Sequence, residues 1–362
     1  MKVKGLQIKN FTAFEESHIN FCDGINIFIG ANSTGKTLLL KLIYFVLKSG
    51  EDWHKNSSNH LRESELLLSY LMQIFKPDND EIGRLIMSKK ESEKSRIILS
   101  YDNSELAFEI NKKDPLGVRE GVIKWYKESL PKTPSCIFIP SREILSMYEG
   151  FIQAYDKREL SFDKTYYDLC KSLGAGRLKN PDPSNAEMIR VFEDILGGKV
   201  VLKGNRFYVE SKEELLEAHL LAEGHRKLAM LVQLIANGSI EKDTILLWDE
   251  PEANLNPKLI TEIAGALIEL SSLGIQIFLT THDYLLSGEL SRYAEYPVES
   301  KTPPIRFFAF SRTGSHEPVT VQSGDTLADI KDNPILDEFA AHYDRERASF
   351  YSEFGKSQGS DA

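Results

Sequence analysis

The stretch Gly30-Ala31-Asn32-Ser33-Thr34-Gly35-Lys36-Thr37 lies between an apolar run at residues 25–29 and an apolar segment that begins at Thr37. The run predicts a buried strand, and the segment, which extends to about Lys48, predicts a buried helix. The two glycines allow the connecting backbone to turn tightly, so that its N–H groups face a phosphate. Chance produces this pattern in roughly one chain of this size in a hundred. The stretch therefore indicates a phosphate-binding loop.

The positions of this loop have distinct predicted roles. The helix N-terminus adds partial positive charge, Lys36 can reach the β- and γ-phosphates, and the Thr37 hydroxyl can hold Mg²⁺. ATP and Mg²⁺ are therefore the expected ligands. The residues predicted to contact the nucleotide here are Gly30, Ala31, Asn32, Ser33, Thr34, Gly35, Lys36, Thr37 and Leu38.

Two later apolar runs end in polar residues. Residues 244–248 predict a strand followed by Asp249 and Glu250, and residues 275–281 predict another followed by His282. Ligands of open α/β sheets bind at the carboxyl ends of strands, so these side chains are expected beside the phosphate loop. Asp249 is predicted to hold Mg²⁺ with Thr37, and Glu250 to act as general base. His282 is predicted to contact the γ-phosphate or the attacking water. Each group alone could equally be an ordinary surface residue; the upstream loop favours the catalytic interpretation.

Composition, net charge and cysteine spacing limit the classes of protein to which the chain can belong. The chain has 362 residues, of which 41% are hydrophobic, enough for a normal core, and a formal net charge of −10. That charge argues against a dedicated nucleic-acid coat but leaves a local basic groove open. No apolar run approaches the roughly 20 residues of a membrane helix. Cys22, Cys136 and Cys170 stand far apart, which favours a reduced, cytoplasmic setting without a zinc site.

The predicted elements suggest two kinds of sheet. Strands alternate with helices in the second half of the chain, which predicts a parallel sheet. Strand-like pieces separated by charged turns between residues 84 and 130 predict an antiparallel region, and residues 141–179 look largely helical. A helical pattern interrupted near Gly224 covers residues 213–236, and the polar residues 49–62 predict a loop.

These motifs together resemble a known family. The set of Lys36, Asp249-Glu250-Pro251-Glu252 and His282, with the opening Leu6-Gln-Ile-Lys-Asn-Phe11, is similar to the ABC-type P-loop ATPase heads of SMC, RecF and OLD-like proteins. The chain is most similar to stand-alone prokaryotic AAA family ATP-binding proteins linked to anti-phage defence. The resemblance covers nearly the whole chain, and residues 50–130 show it weakly.

The resemblance assigns further residues to the site. Leu221-Ala222-Glu223-Gly224-His225 occupies the position of the ABC signature, which in the family caps the γ-phosphate held by a second protomer. Ala222 replaces the family's Ser, and an ordinary helix start is the alternative. Asn254 resembles a D-loop residue at the dimer interface, although Asn256 with Pro257 also predicts a plain helix cap. Ala222, Gly224 and Asn254 are thus added to the nucleotide contacts.

One expected family residue is missing. After the strand at 137–139 the family places a Gln, and this chain has Ser141-Arg142-Glu143. Glu143 could substitute for it, Arg142 could face the phosphates, or the segment could be an exposed helix start. Near the signature, Arg226 or Lys227 could offset the charge of Glu223.

The predicted fold is an α/β ABC ATPase head with residues 1–48 and 200–362 as the core, 49–135 as a β-rich lobe and 136–199 as a helical lobe. The resemblance implies slow ATP hydrolysis that closes a homodimer around two nucleotides and acts as a switch for a protein effector, such as a nuclease, in anti-phage defence. Two alternatives stay open: a RecF-type repair ATPase that binds DNA, and a non-hydrolysing ATP-binding scaffold.

Overall fold

The computed structural model describes residues 1–55, 63–87, 94–102, 104–113, 120–125, 133–298, 302–314 and 317–357. The strands are β1 (Val3–Phe11), β2 (Phe14–Asn20), β3 (Ile25–Gly30), β4 (Lys94–Tyr101), β5 (Ser104–Lys113), β6 (Glu120–Trp125), β7 (Cys136–Ile139), β8 (Lys199–Lys203), β9 (Arg206–Glu210), β10 (Leu215–Glu217), β11 (Ile245–Asp249), β12 (Gln276–Thr281), β13 (Ile305–Ser311) and β14 (Thr320–Gly324). The helices are α1 (Lys36–Lys55), α2 (Glu63–Phe75), α3 (Phe151–Asp156), α4 (Lys164–Leu173), α5 (Pro183–Leu196), α6 (Glu223–Ala236), α7 (Pro257–Ser272), α8 (Tyr284–Glu295) and α9 (Pro334–Ser357).

The central sheet has the strand order β14-β13-β3-β12-β11-β7. All neighbours are parallel except β14, which runs antiparallel to β13. Every residue of β3, β11 and β12 is buried, as expected for parallel strands covered on both faces. The carboxyl ends of β3, β11 and β12 therefore meet at one edge, which we call the nucleotide edge.

An antiparallel sheet of order β2-β1-β4-β5-β6 lies on the other side of α1. The apolar face of β1 and β4, including Leu6 and Leu99, joins the same core cluster as Leu42 and Ile43 of α1. On the opposite face of the central sheet, α6, α7 and α8 form the second cluster with Ile27. The helix that follows the phosphate loop is thus fixed between two sheets.

A third sheet joins β8, β9 and β10. Strands β8 and β9 form a hairpin, with Gly204 and Asn205 both at positive φ, the conformation of the tight turn that joins twisted strands. Next to it, α5 packs along α6, and Asp182 caps the start of α5 by accepting from the N–H of Ser184, with Pro183 at the first helical position.

Several predictions of elements were wrong. Helix α1 continues to Lys55 through part of the predicted loop, because Lys48 pairs with Glu51 and Asp52 along the helix. The predicted helix at 213–221 is instead β10 and a short 3-10 turn, because Leu215–Glu217 pairs with β9. Strands β2 and β14 were missed.

The sheets also cross the predicted domain boundaries. Strand β1, assigned to the core, pairs with β4 of the β-rich lobe, and β7, assigned to the helical lobe, pairs with β11 of the core. The boundary at 48/49 falls inside α1, and the boundary at 199/200 falls inside β8. Sheet pairing joins segments distant in sequence, which local patterns do not reveal. Residues 88–93 and 126–132, within the predicted β-rich lobe, lie outside the described residues.

Candidate active site

The phosphate loop connects β3 to α1 at the nucleotide edge, where its backbone requires glycine. Gly30 has a φ of +147°, and a Cβ there would lie 2.5 Å from the carbonyl oxygen of Phe310. Gly35 has a φ of +92°, and its Cβ would press on the ring of Phe14. Ala31, Asn32 and Ser33 are exposed at the loop tip. The loop thus presents its backbone to solvent, as phosphate binding requires.

Lys36 is buried under this loop. Its ammonium donates to the carbonyl oxygens of Gly30 at 2.7 Å and Ala31 at 2.8 Å. Burial lowers the pKa of Lys36, and the nearby carboxylates of Glu250 and Asp249 oppose that change. The cation is therefore held beside the loop tip, where it is available to an anionic ligand.

Asp249 ends β11 directly opposite the first turn of α1. Its Oδ1 accepts from the hydroxyls of Thr37 at 2.8 Å and Thr280 at 2.6 Å. Burial raises the pKa of Asp249, whereas the two hydroxyl donors oppose the change. The structure thus brings together Thr37 and Asp249, the two predicted metal-holding residues.

The oxygen chemistry of this pair fits Mg²⁺. A hydroxyl and a carboxylate are ligands that Mg²⁺ uses, and it usually retains several waters and phosphate oxygens. Among the described residues there is no group of three or more His, Cys, Asp or Glu side chains placed to hold an ion. Thr37 and Asp249 would therefore supply only part of a coordination shell, as expected where a nucleotide completes it.

Glu250 follows in a left-handed backbone conformation, with a φ of 48°. Its N–H donates to Thr280, to the carbonyl oxygen at 3.2 Å and the hydroxyl at 3.0 Å. Non-glycine residues adopt such a conformation at a cost of about 1–3 kcal/mol, and it is common at functional sites. The turn brings the Glu250 carboxylate to 3.3 Å from Nδ1 of His282. The two predicted catalytic side chains are thus in contact at the nucleotide edge.

The buried Glu252 lies next to the Glu250–His282 pair. Its Oε1 accepts from the Thr281 hydroxyl at 2.7 Å and from the His282 N–H at 3.3 Å, and it lies 3.9 Å from His282 Nδ1. Burial raises the pKa of Glu252. Its Oε2 is buried and has no hydrogen-bond partner among the described residues. Through these two hydrogen bonds, Glu252 fixes the backbone that leads from Thr281 into His282.

The segment at the signature position opens α6. Ala222 is the exposed N-cap residue and provides no side-chain cap, so the first helical N–H groups lack a hydroxyl acceptor. Asn254, also exposed and at a φ of 60°, donates to Oε1 of Glu223 at 3.1 Å. Glu223 thus points toward the Asn254 loop of its own chain.

Gly224 is buried by packing. A Cβ at this position would lie 2.4 Å from Cδ1 of Leu259 and 3.0 Å from Cδ2 of Leu255. Glycine therefore allows α6 to approach the loop that begins α7. The predicted interruption near Gly224 corresponds to the start of α6, which has Ala222 as its N-cap and Glu223 as its first residue.

Two neighbouring cations of α6 point to two different loops. Arg226 donates from Nε to Oε1 of the buried Glu143 at 2.7 Å. Lys227 is fully buried, and its ammonium faces the carbonyl oxygens of Glu250 at 3.5 Å, Pro251 at 3.2 Å and Ala253 at 2.7 Å. Burial lowers the pKa of Lys227. The charge of Glu223 opposes this lowering of the pKa, so Lys227 does offset Glu223, while both cations are also engaged with protein loops.

At the position of the expected Gln, Glu143 is buried and binds Arg226 and the Ser146 hydroxyl. Arg142 is exposed. The alternative of an exposed helix start is wrong for Glu143, because its ion pair with α6 takes the carboxylate into the interior.

Comparison with known proteins identifies the family. The family model described as "AAA domain, putative AbiEii toxin, Type IV TA system" matches residues 25–288, more than half of the chain. The chain belongs to this AAA-domain family. The matched range runs from β3 to α8 and so includes the phosphate loop, Asp249, Glu250 and His282.

Local sequence similarity links this AAA-domain chain to RecF. It is 35% identical over 77 residues to the DNA replication and repair protein RecF of Streptococcus gordonii, covering 20% of this chain and 21% of that protein. It is 50% identical over 46 residues to RecF of Lactobacillus johnsonii, covering 13% and 12%. The chain thus spans about a fifth or less of the length of these relatives.

Solved structures show the same fold. An SMC head bound to the C-terminal winged-helix domain of ScpA has a TM-score of 0.53 at 14% identity, covering 90% of this chain and 98% of that one. The Pyrococcus furiosus SMC head with an extended coiled coil has a TM-score of 0.52 at 12% identity, covering 94% and 99%. This AAA-domain chain therefore has the fold of an ABC ATPase head, as the SMC heads do. None of the helices within its described ranges could span a bilayer.

The sequence analysis gave no role of their own in this AAA-domain site to Thr280 and Glu252, and it gave Lys227 a different role, beside Glu223. Thr280 and Glu252 stand inside the stretches that located His282 and Asp249, but a Thr within a strand and a second Glu after a turn have no distinctive spacing. The burial of Lys227 could have been predicted, because an unbroken apolar run follows it in α6. Its partners depend on tertiary packing.

Proposed function

We propose that this chain binds ATP with Mg²⁺ and hydrolyses it slowly to ADP and phosphate. The observation that supports this best is the convergence of Lys36, the Thr37–Asp249 pair and the Glu250–His282 pair on one edge of a parallel sheet. Mg²⁺, when bound, would neutralise phosphate charge. Thr37 and Asp249 would hold it, and the loop N–H groups with Lys36 would bind the phosphates.

In this proposal Glu250 is the general base. Its carboxylate would orient a water and accept its proton, and His282, 3.3 Å away, would position that carboxylate and contact the γ-phosphate. The Thr280 contacts fix the backbone of Glu250, so the carboxylate is held in place before the substrate arrives. These roles of Glu250 and His282, and the nucleotide contacts of residues 30–38, are proposals.

We also propose that ATP closes two copies of the chain into a homodimer. Ala222, Gly224 and Asn254 lie on α6 and on the loop before α7, and Ala222 and Asn254 are exposed. In a head-to-tail pair, the free N–H groups at the start of α6 would cap the γ-phosphate held by the other copy. ATP would then favour the closed state because it contacts both halves.

The test compares ATP turnover and oligomeric mass for wild type, Glu250→Gln and Lys36→Ala, with Glu213→Gln as an exposed control. We expect wild type to hydrolyse ATP, and Glu250→Gln to lose at least a hundredfold in rate while accumulating as an ATP-bound dimer. Lys36→Ala should remain monomeric. If wild type binds ATP and dimerises without turnover, the chain is a non-hydrolysing scaffold. If ATP does not bind, the proposal fails.

The dimer would act as a switch for a separate protein effector in prokaryotic anti-phage defence. The family description, which names a putative toxin of a type IV toxin–antitoxin system, supports this role. The test is phage plating on cells that express the chain with its flanking genes, as wild type or Lys36→Ala. Protection that disappears with Lys36→Ala supports the switch, whereas equal plating on cells with and without the wild-type genes contradicts it.

A second candidate is a repair ATPase that binds DNA in an ATP-dependent way. The local identity to RecF favours it. It predicts that ATP tightens binding to DNA and that the affinity falls steeply with salt. Absence of ATP-dependent DNA binding at low salt would eliminate this candidate and leave the effector switch.

A further inference from the structure

Helix α9 begins in the protein core and ends in solvent. Ile335 is buried in the same cluster as Ile27 of β3 and Leu290 of α8, and Asn333 accepts from the N–H of Ile335 at the helix start. From Asp337 to Tyr351 the side chains are exposed except for the half-buried Ala341. Between Pro334 and Tyr351, the buried anchor of α9 is therefore in its first turn.

The point where α9 leaves the body lies at the nucleotide edge. Phe339 packs on Tyr284 with ring centroids 4.5 Å apart, and Tyr284 stands two residues after His282. From Phe339 the helix continues to Ser357, a length of about 27 Å at the usual rise. Because its buried end lies in the core and Phe339 lies at the edge, the rest of α9 projects beyond that edge.

The projecting part of α9 has an aromatic face. Phe339 is 53% exposed and Tyr343 is 61% exposed. With Ile335 they follow the i, i+4, i+8 spacing of one helix face, and the exposed Phe350 falls on the same face. Large aromatic side chains exposed together are typical of protein interaction surfaces and are enriched among the residues that dominate binding energy.

We propose that this face of α9 is a dimerisation arm that packs on a second copy of the chain when ATP closes the two nucleotide edges. The inference rests on the proposed function, because it is the ATP-bound dimer that brings a second copy to this edge. A protein that docks at the nucleotide edge would contact α9, because Phe339 of this helix packs on Tyr284, two residues after His282. The arm would thus add an apolar contact to a nucleotide-mediated one.

The surface of the second copy that faces this edge includes a matching apolar side chain. Leu220 is 67% exposed and stands two residues before Ala222. In a head-to-tail pair, the start of α6 of one copy lies over the phosphate loop of the other. Leu220 of the second copy would then lie next to the edge from which α9 projects.

The test places a photo-crosslinking benzoylphenylalanine at Tyr343, or at Ala348 on the opposite face of α9, in the Glu250→Gln background. With ATP and light, we expect covalent dimer at position 343 at least fivefold above position 348 and above the ATP-free sample. Equal crosslinking at both positions, or none at 343 while the dimer is present, would overturn the arm. Failure of Glu250→Gln to dimerise at all would instead contradict the proposed function.

A second measurement uses Phe339→Ala with Tyr343→Ala, changes that favour the helix. We expect the ATP-dependent dimer to weaken at least tenfold in analytical ultracentrifugation, as for buried aromatic contacts. Val191→Ala removes an exposed apolar side chain from α5 and is the matched control. Unchanged dimer affinity in the double variant overturns the arm and leaves the ATP-dependent dimer intact.

Discussion

The ammonium of the buried Lys227 lies 2.7 Å from the carbonyl oxygen of Ala253. The same ammonium faces the carbonyl oxygens of Glu250 and Pro251. One side chain of α6 therefore holds both the left-handed turn at Glu250 and the start of the loop that contains Asn254. Movement of α6 is thereby coupled to the position of the proposed general base.

Replacing Lys227 with Met should reduce ATP turnover at least tenfold while changing the free energy of unfolding by less than about 2 kcal/mol. The lost hydrogen bonds destabilise the fold, and removal of a buried charge offsets that loss. Steady-state hydrolysis and chemical denaturation measure the two quantities. Lys258→Met, at an exposed lysine of α7, is the control. A wild-type rate in Lys227→Met would show that the contact does not position Glu250.

Thr37→Val keeps the side-chain shape and removes the hydroxyl that donates to Asp249. Because this hydroxyl is a proposed Mg²⁺ ligand, the variant should lose at least tenfold in ATP affinity with Mg²⁺ and little after chelation with EDTA. Fluorescence titration with a labelled ATP analogue measures both affinities. Thr261→Val, on the exposed face of α7, should behave as wild type. Equal losses with and without Mg²⁺ would exclude a metal-holding role.

Glu252→Gln should change stability in a pH-dependent way. Burial raises the folded-state pKa of Glu252 above its ordinary value of 4.5, so the stability contributed by the protonated form is lost as pH rises through the folded value. Gln cannot ionise, so the melting temperature of the variant minus that of wild type should become more positive from pH 5 to pH 8. Differential scanning calorimetry at each pH measures this difference in melting temperature, with Glu213→Gln as the exposed control. A constant difference would contradict the prediction.

Gly224→Ala should destabilise the protein by about 1–3 kcal/mol, because the added methyl group overpacks the contact with Leu259. Gly288→Ala provides the matched control, since position 288 is helical and has open space around an added Cβ. That variant should gain about 0.5–1 kcal/mol from helix propensity. Thermal denaturation of both proteins measures the contrast, and equal effects would show that α6 does not depend on close approach at Gly224.

The sequence predicted well what depends on neighbouring residues. The strand, loop and helix around Lys36 and the strands before Asp249 and His282 are all present, because each combines burial with a short local pattern. The order of strands in the central sheet brings these three ends together. Chain order alone does not specify that β3 lies between β13 and β12.

Some of the predictions that failed concern residues whose partners lie far along the chain. Glu143 and Arg226 meet across an interval that no periodic pattern records, and neither residue type indicates burial. Strand β1 was expected in the core unit, and its pairing with β4 follows from the antiparallel sheet as a whole. The Glu143–Arg226 ion pair and the pairing of β1 with β4 form only when the whole chain has packed, so local sequence patterns do not predict them.

The placement of β3 has a consequence for biosynthesis. Its two neighbours in the sheet are β12, where Ile277 pairs with Ile25, and β13, where Ile305 pairs with the same residue. Contacts of such long sequence separation form slowly and late. On the ribosome, the strand that leads into the phosphate loop is therefore made long before either of its two sheet partners. The nascent chain acquires its nucleotide-binding edge only once β12 and β13 have emerged.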